Sequence, residues 1–495
     1  MMTTRHKIRR GAAESGQAIV LVALGMIGLL AFMVLAIDGG RFYQQRRRAQ
    51  NAADMSALGG LYMYTKATDP STTVNEHNML IQINTMAEKN EIADTDGTVY
   101  NAVNGNVTAW WVDKNGQKLP IGAPAQMQDS TSRYAPSGMN GIQVEARIPY
   151  NTFVGGLIGQ SALTALADST ARIHIRYEKF TDDNNSIFTI GGDCNNLTDA
   201  IAHNYIDTNT SKFLAGVYVG GSLTVGNPPG GGVNASDFYG DFQVAAKTGL
   251  KNSATGLYDD IGTTDPFTGG GNDFHSHNYI PPSSTPKGYP KWTQVYKHTT
   301  GAPDFFDGVH NTPEGAWHQN LSLFQAADDK LVYAYVAGDP GAEAAVQAVV
   351  DANSGKHLVI FVDGDITTND NSDWPDTTLI INGKFDNNVT GRDFYSAGPI
   401  VGNISILAGA DPGGKNRCAS DSSKWVFHAQ GNNTQFHGIV YVPYGQIFFD
   451  GNTSGGQDFS DAVITYSVYL NGNSWQFNFD PNKLVWPVPS TELNK

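Results

Sequence analysis

Val359–Asn369 reads VIFVDGDITTN, and Leu379–Asn387 repeats the design as LIINGKFDN. Each is a short apolar strand, a glycine, a second short strand, and an Asn/Asp turn. Gly364 and Gly383 stand 19 residues apart, Gly383 and Gly402 again 19, and Gly445 and Ser467 22. Related segments are VYVGGSLTVGN (217–227), IVGNISILAG (400–409), IVYVPYGQIFFDG (439–451) and ITYSVYLNG (464–472). A period near 20 implies one unit stacked on copies of itself, because a single short rung cannot bury its own apolar face. The central Gly or Ser then marks a corner. This favours a parallel β-helix (solenoid) over 186–485. A β-sandwich is the rival, since regular short strands suit it too. Residues 230–356 lose the pattern and read as an insertion, with one helix over Ala342–Ala352 closed by Gly355.

Composition agrees with a mainly β body. Of 495 residues, 55 are glycine and only 16% are charged, which suits short strands joined by turns. Ahead of the stack, 67–180 reads as a small α+β unit. Val74–Ile92 has helical apolar spacing, with Val74, Met79, Leu80, Ile83 and Met86 on one side. Ile142, Val144, Ala146 and Ile148 alternate as a strand, as do Ala171, Ile173, Ile175 and Tyr177. Asp113-Lys114-Asn115-Gly116 suggests a hairpin with a two-residue Asn-Gly loop.

The N-terminus has a different character. Ala18–Ile37 reads AIVLVALGMIGLLAFMVLAI without a charge. Twenty helical residues rise about 30 Å, the thickness of a hydrocarbon core. A cleaved signal peptide ending near Val34-Leu35-Ala36 is the alternative, although such apolar cores run to only about 7–15 residues. Arg5, Lys7, Arg9 and Arg10 precede the run, and Arg41 and Arg46 to Arg48 follow it, so basic residues do not set the orientation. The short segment 1–17 is expected in the cytoplasm and the large domain outside. Residues 38–66 continue the helix. Ala49, Ala52, Ala53 and Ala57 form a small-residue stripe suited to close packing with other helices, and Gly59-Gly60 is expected to weaken or bend it.

The net charge of −15 is segregated, with basic clusters beside the span and an acidic remainder. An acidic body argues against nucleic acid as the main partner; the basic clusters suit anionic lipid headgroups. Cys194 and Cys418 are too few for a disulfide framework, though export would permit one bridge.

Ser15-Gly16-Gln17-Ala18, the apolar run, Ala36-Ile37-Asp38-Gly39-Gly40-Arg41 and Arg48-Ala49-Gln50-Asn51-Ala52-Ala53-Asp54 together resemble the TadE/TadG-like family of Flp (tight-adherence) pilus assembly proteins. Val144–Ile173, with Pro149, Thr152-Phe153 and Gly159, resembles the end of that family's N-terminal region. The resemblance implies a pilin-like anchor in the membrane through 18–37, with a role in assembling or decorating adhesive pili. It implies other pilus or envelope proteins as partners through the N-terminal helix. One departure concerns processing: Gly11 is followed by Glu14 at the third position, where pilin-type processing uses a Glu at the fifth.

Chemistry-bearing residues are sparse. His275 and His277, with His310 or His318, offer metal-type nitrogens. Asp363, Asp365, Asp370, Asn369 and Asn371 offer hard oxygens of the kind calcium takes, but they are also ordinary turn residues. Asp363 and Asp365 could share a face, as carboxylates of polysaccharide-cleaving β-helices do. Trp110-Trp111, Trp292, Trp317, Trp374 and Trp425 are candidates for surface glycans or for packing. No catalytic, cofactor-binding or metal site is assigned. The expected function is non-catalytic pilus assembly or surface adhesion, the alternative a glycan-active or glycan-binding domain. A cleft with several carboxylates would favour the enzyme, an aromatic strip glycan binding, and a smooth polar surface the structural role.

Overall fold

The computed structural model describes residues 11–66, 74–119, 126–136, 138–152, 161–179, 185–189, 204–209, 211–219, 223–225, short strands between 237 and 280, and 323–408, 425–430, 433–459, 461–478 and most of 480–493. Two compact units emerge, Met1–Ile173 with Thr491–Lys495, and His174–Ser490.

In the first unit, α1 (Gly11–Lys66) is a single unbroken helix. Its apolar half is long and apolar enough to cross a membrane, and Ile19, Leu21, Phe32 and Leu35 there are exposed. Its other half buries Ala49, Ala52, Ala53, Ser56, Ala57, Gly60, Leu61 and Tyr64. That spacing of three and four puts them on one face. The face lies against α2 (Glu76–Lys89), where Asn75 caps the first turn by accepting from the Asn78 N–H at 3.0 Å. It also lies against a sheet of β1 (Val107–Val112), β2 (Gly141–Asn151) and β3 (Ala162–Lys179), joined at its edge by Val485–Leu493. β1–β2 and β2–β3 are antiparallel, and Ala146 opposite Ala167, with Ala165 and Ala171 on the same face, keeps the sheet surface as shallow as the helix.

Two expectations are corrected here. α1 continues through Gly59-Gly60 without a break, and these glycines let it approach its neighbours. A Cβ at Gly59 would stand 2.7 Å from Met86 Cγ, and one at Gly60 2.7 Å from Ile83 Cγ1 and 2.9 Å from Ile142 Cδ1. The Asn-Gly turn is wider than a two-residue loop. Val112 bridges Lys118, and the Asp113 carboxylate accepts the N–H groups of Asn115 and Gln117, both at 2.8 Å. An aspartate able to hold two backbone donors outcompetes the tighter loop. The long partner of β1 is β2.

The second unit is built from parallel ladders. In the first ladder, a parallel run of 10 strands, the order is Leu331–Ala337, His357–Asp363, Thr377–Ile381, Ile404–Ala408, Ile439–Phe459, Val463–Phe477, Asn185–Thr189, Gly216–Val219, Phe242–Val244 and Tyr279–Ile280. A second ladder joins Ile366–Thr368, Phe385–Asn387, Phe427–Ala429, the middles of the two long strands, Asn204–Asn209, Leu223–Val225 and Thr248–Lys251. A third joins Asp393–Phe394, Gln435–Phe436, the ends of the two long strands, Lys212–Phe213, Asp237–Phe238 and Asp273–Phe274. Ile439–Phe459 and Val463–Phe477 pass through all three.

The chain enters this stack in its middle. Asn185–Thr189 pairs on one side with Gly216–Val219 and on the other with the C-terminal Val463–Phe477. The described strands in 237–280 and Leu331–Ala337 pair into the same ladders, although they fall where the sequence reading placed an insertion. The strands there are two to seven residues long. Helix α3 (Ala342–Ala352) buries Ala342, Val346 and Val350 in the same core as Val336 and Ile360.

The strands from His357–Asp363 to Ile404–Ala408 in the first ladder are buried on both faces. Leu358, Ile360, Val362, Leu379, Ile381 and Val440 point into one core, while Val359, Phe361, Ile380, Leu407 and Tyr441 belong to another. Those strands therefore read as unbroken apolar runs. The other ladders alternate. Phenylalanines stack along the third: Phe394–Phe436, Phe436–Phe459, Phe459–Phe477 and Phe477–Phe213 have ring centroids 5.2, 5.0, 4.8 and 5.0 Å apart. Inside, a polar column is fully buried, with Thr368 Oγ1 donating to Asn387 Oδ1 at 2.6 Å and Asn387 Nδ2 to Thr434 Oγ1 at 3.1 Å.

The glycine step has a structural cause at two of its positions. A Cβ on Gly338 would stand 2.6 Å from Gly364 Cα, and one on Gly383 2.5 Å from Gly364 C, so these glycines form a corner column. Gly402 does not continue it. At φ +70 it closes the 3-10 turn Pro399–Val401 ahead of the next strand, so its 19-residue step is a coincidence of loop length.

Candidate functional site

Two regions carry candidate function, each within one unit. In the first unit it is α1. The alanine stripe, read as suited to close packing with other helices, packs against the protein's own α2 and sheet. The face left outward includes Tyr43, Arg47, Asn51, Met55 and Tyr62, with Arg48 paired to Glu91 at 3.1 Å. Beneath it, Glu76 is buried yet saturated: it takes the Trp111 indole N–H at 3.1 Å, the Gln128 N–H at 2.9 Å and Arg133 Nε at 3.2 Å. Buried carboxylates persist when their lone pairs are all used. Of the tandem tryptophans, Trp111 is core, while Trp110 is half-buried under Lys118 Nζ, 3.3 Å from the ring centroid. That is a cation–π contact.

In the second unit the acidic candidates are spent on turns. Asp365 accepts the Lys384 N–H at 2.8 Å, Asp363 accepts from Asn382 Nδ2 at 3.3 Å, and Asp370 accepts from Ser372 N and Oγ, both at 3.0 Å. The backbone N–H groups of Asn369 and Asp370 are held by Glu343 at 2.9 and 3.0 Å. Among the described residues no three His, Cys, Asp or Glu side chains are grouped to hold a metal. His275, His277, His310, His318, Cys194, Cys418, Trp292 and Trp317 lie outside the described residues.

Glu343 also receives Arg392 Nη1 at 2.5 Å. Arg392 is fully buried, donates to the Asp370 carbonyl at 2.7 Å, and lies 3.7 Å over the Trp374 ring. Burial pushes its pKa down, and Glu343 opposes that. Trp374, a sequence candidate for surface binding, is thus core, its indole N–H donated to Gln347 at 2.9 Å.

The outer face of the second ladder brings together residues that sequence reasoning, apart from Trp425, did not single out. Asp386, His428, Phe448 and Tyr469 occupy one register row. His428 Nδ1 meets Asp386 Oδ1 at 2.9 Å. Trp425 stacks on Phe448 at 3.7 Å, and Phe448 meets His428 at 5.1 Å and Tyr469 at 4.8 Å. Trp425 Nε1 and His428 Nε2 are buried atoms with no hydrogen-bond partner. The available signal was the in-out-in pattern shared by Phe385-Asp386-Asn387 and Phe427-His428-Ala429.

The described residues form one long apolar N-terminal helix, two shorter helices and a mainly β body dominated by parallel strands. Residues 16–63 match the Tad family, described as "Putative Flp pilus-assembly TadE/G-like". No curated protein sequence matches the chain. Among solved structures, the competence-associated pilin ComZ from Thermus thermophilus aligns over 100% of both chains at 11% identity with a TM-score of 0.16. A score that low carries no argument about fold.

Proposed function

We propose that this is a membrane-anchored, non-catalytic pilus-assembly or cell-surface adhesion protein of Flp type. Segment 1–17 lies in the cytoplasm, 18–37 in the bilayer, and the domain in the periplasm or outside the cell. The three ladders are the faces of one parallel β-helix, a reading supported by successive strand triplets and by the corner glycines. The observation that carries the proposal is α1: an exposed apolar span continues without a break into a helix half buried in its own domain, over the residues that match the Tad family. Partner pilus or envelope proteins then meet the outward face with Met55 and Tyr62. Neither nucleic acid nor a metal is part of this reading. The turn duties of Asp363 and Asp365 favour it over a polysaccharide-cleaving enzyme.

Fractionation of native cells, N-terminal sequencing and protease shaving test it. An intact N-terminus in the membrane fraction, with the domain shaved from outside, is expected. A mature N-terminus near Ile37 with the protein free in the medium would overturn it. A second reading, glycan binding, is favoured by the aromatic strip of Trp425, Phe448 and Tyr469 on the outer face of the second ladder. It requires retention on immobilised polysaccharide that Trp425→Ala abolishes; retention unchanged by that variant removes it.

A further inference from the structure

The β2–β3 hairpin runs along α1 toward the apolar span. A Cβ at Gly60 would meet Ile142 at 2.9 Å. Gln50 Nε2 donates to the Asp168 carbonyl at 3.2 Å, and Asp168 is in register with Glu145. The Phe42 and Tyr150 rings are 6.4 Å apart. As β2 advances from Ile142 to Tyr150, its partner on α1 retreats from Gly60 to Phe42. The lengths agree: that stretch of helix rises about 27 Å, and that stretch of strand spans about 27 Å. The hairpin continues, with the Thr152 N–H donated to the Ser161 carbonyl at 3.1 Å. Two more strand residues add about 7 Å, and the helix from Phe42 back to Ile37 rises about 7.5 Å. The hairpin end is therefore level with the last residue of the apolar run.

The hairpin end exposes Leu163, in register with Tyr150, at 43%, and on the opposite face Leu166 at 45%, beside the uncharged Ser161, Ala162, Thr164 and Asn151. Phe42 and Tyr43 are exposed on the adjoining helix, together with Arg41, Arg46 and Arg47. The Tyr150 hydroxyl is buried without a hydrogen-bond partner, and burial, with Asp38 adding, pushes its pKa up. Apolar side chains rimmed by tyrosine and arginine are the composition of a lipid headgroup boundary.

We propose that the end of the β2–β3 hairpin rests in the headgroup region of an anionic bilayer, a second membrane contact beside the span. It rests on the anchoring reading above. The contact braces α1 where it leaves the membrane, so the domain cannot swing on a bare helix.

The test uses the full chain carrying Cys194→Ser and Cys418→Ser, with single polarity-sensitive labels at Leu163→Cys, at Ile27→Cys in the span, and at Lys114→Cys beyond the other end of β1. Each is reconstituted in phosphatidylcholine–phosphatidylglycerol vesicles holding nitroxide lipids at shallow or deep positions. Quenching of the label at 27 by deep nitroxide, and of that at 163 by shallow nitroxide at least about threefold beyond that at 114, is expected. A label at 163 quenched no more than that at 114, with 27 still quenched, overturns the hairpin contact and leaves the anchor standing. An unquenched label at 27 overturns the anchor itself.

Discussion

The two units pack by opposite means. In the first, a helix and a sheet meet through residues that are almost absent as side chains: Ala49, Ala52, Ala53, Ala57 and Gly60 against Ile83, Ile142, Ala146 and Ala167. In the second, rung meets rung through large side chains repeated in register, above all the phenylalanines of the third ladder. Close approach leaves no room to add atoms, whereas a repeated aromatic column leaves a hole when atoms are removed. Each unit should thus be fragile to a different kind of substitution.

The largest losses are expected in the second unit. Arg392→Ala should cost about 3–5 kcal/mol, because it empties a fully buried site against the Trp374 face and strips the cation from the half-buried Glu343. Phe459→Ala should cost a similar amount, about 3–5 kcal/mol, since Phe436, Phe449, Phe477 and Trp475 all lose a neighbour. Peptide-resolved hydrogen exchange should show both losses in the ladders while α1, α2 and the antiparallel sheet keep their protection. Equal deprotection of both units would break the comparison.

Next comes the helix, where glycines of one element should respond with opposite sign. Gly60→Val should cost about 1–3 kcal/mol by overpacking, for Ile83 and Ile142 already stand where its side chain would go. Gly40→Ala meets nothing within 4 Å and should stabilise α1 by up to about 1 kcal/mol, the helix-propensity gain alone. Urea midpoints of the detergent-solubilised chain compare the two. A neutral Gly60→Val would mean that α1 does not sit as tightly as the contacts indicate.

Much of this was legible in the sequence where a residue's job is local. The apolar run, the helix at Glu76–Lys89, the alternation of β2 and the Gly364–Gly383 corner all follow from periodicity or turn chemistry. What escaped is what depends on partners distant in the chain. The alanine stripe reads as a close-packing face, but not as one that α2 and β2 of the same chain cover. The third ladder's signature was present as Lys212-Phe213, Asp237-Phe238, Asp273-Phe274, Asp393-Phe394, Gln435-Phe436, Asp458-Phe459 and Gln476-Phe477. Loops of unequal length scramble its spacing, and no fixed-period search finds it. Entry of the chain in mid-stack, with the Trp475 N–H donated to Ser211 Oγ at 3.0 Å, leaves no local mark at all.

The smallest effect tests the seam beside that entry through pH. Asp461 lies between the two long strands, 1% exposed, with Lys483 Nζ at 2.9 Å. Burial raises its carboxyl pKa above 3.8, and Lys483 pulls it back by less. The folded chain therefore holds this proton more tightly than the unfolded one. Stability from Asp461 is greatest below 3.8, falls as pH rises through the window up to the raised folded value, and is flat above it. Asp461→Asn should remove that slope, so the difference in urea midpoint between variant and parent widens from acid to neutral pH. Lys483→Ala should move the window upward, because the carboxylate then stays buried without its cation. If the parent instead gains stability over the parent–Asn difference as pH rises, the lysine outweighs burial, and the seam at Asp461 is held by charge rather than strained by it.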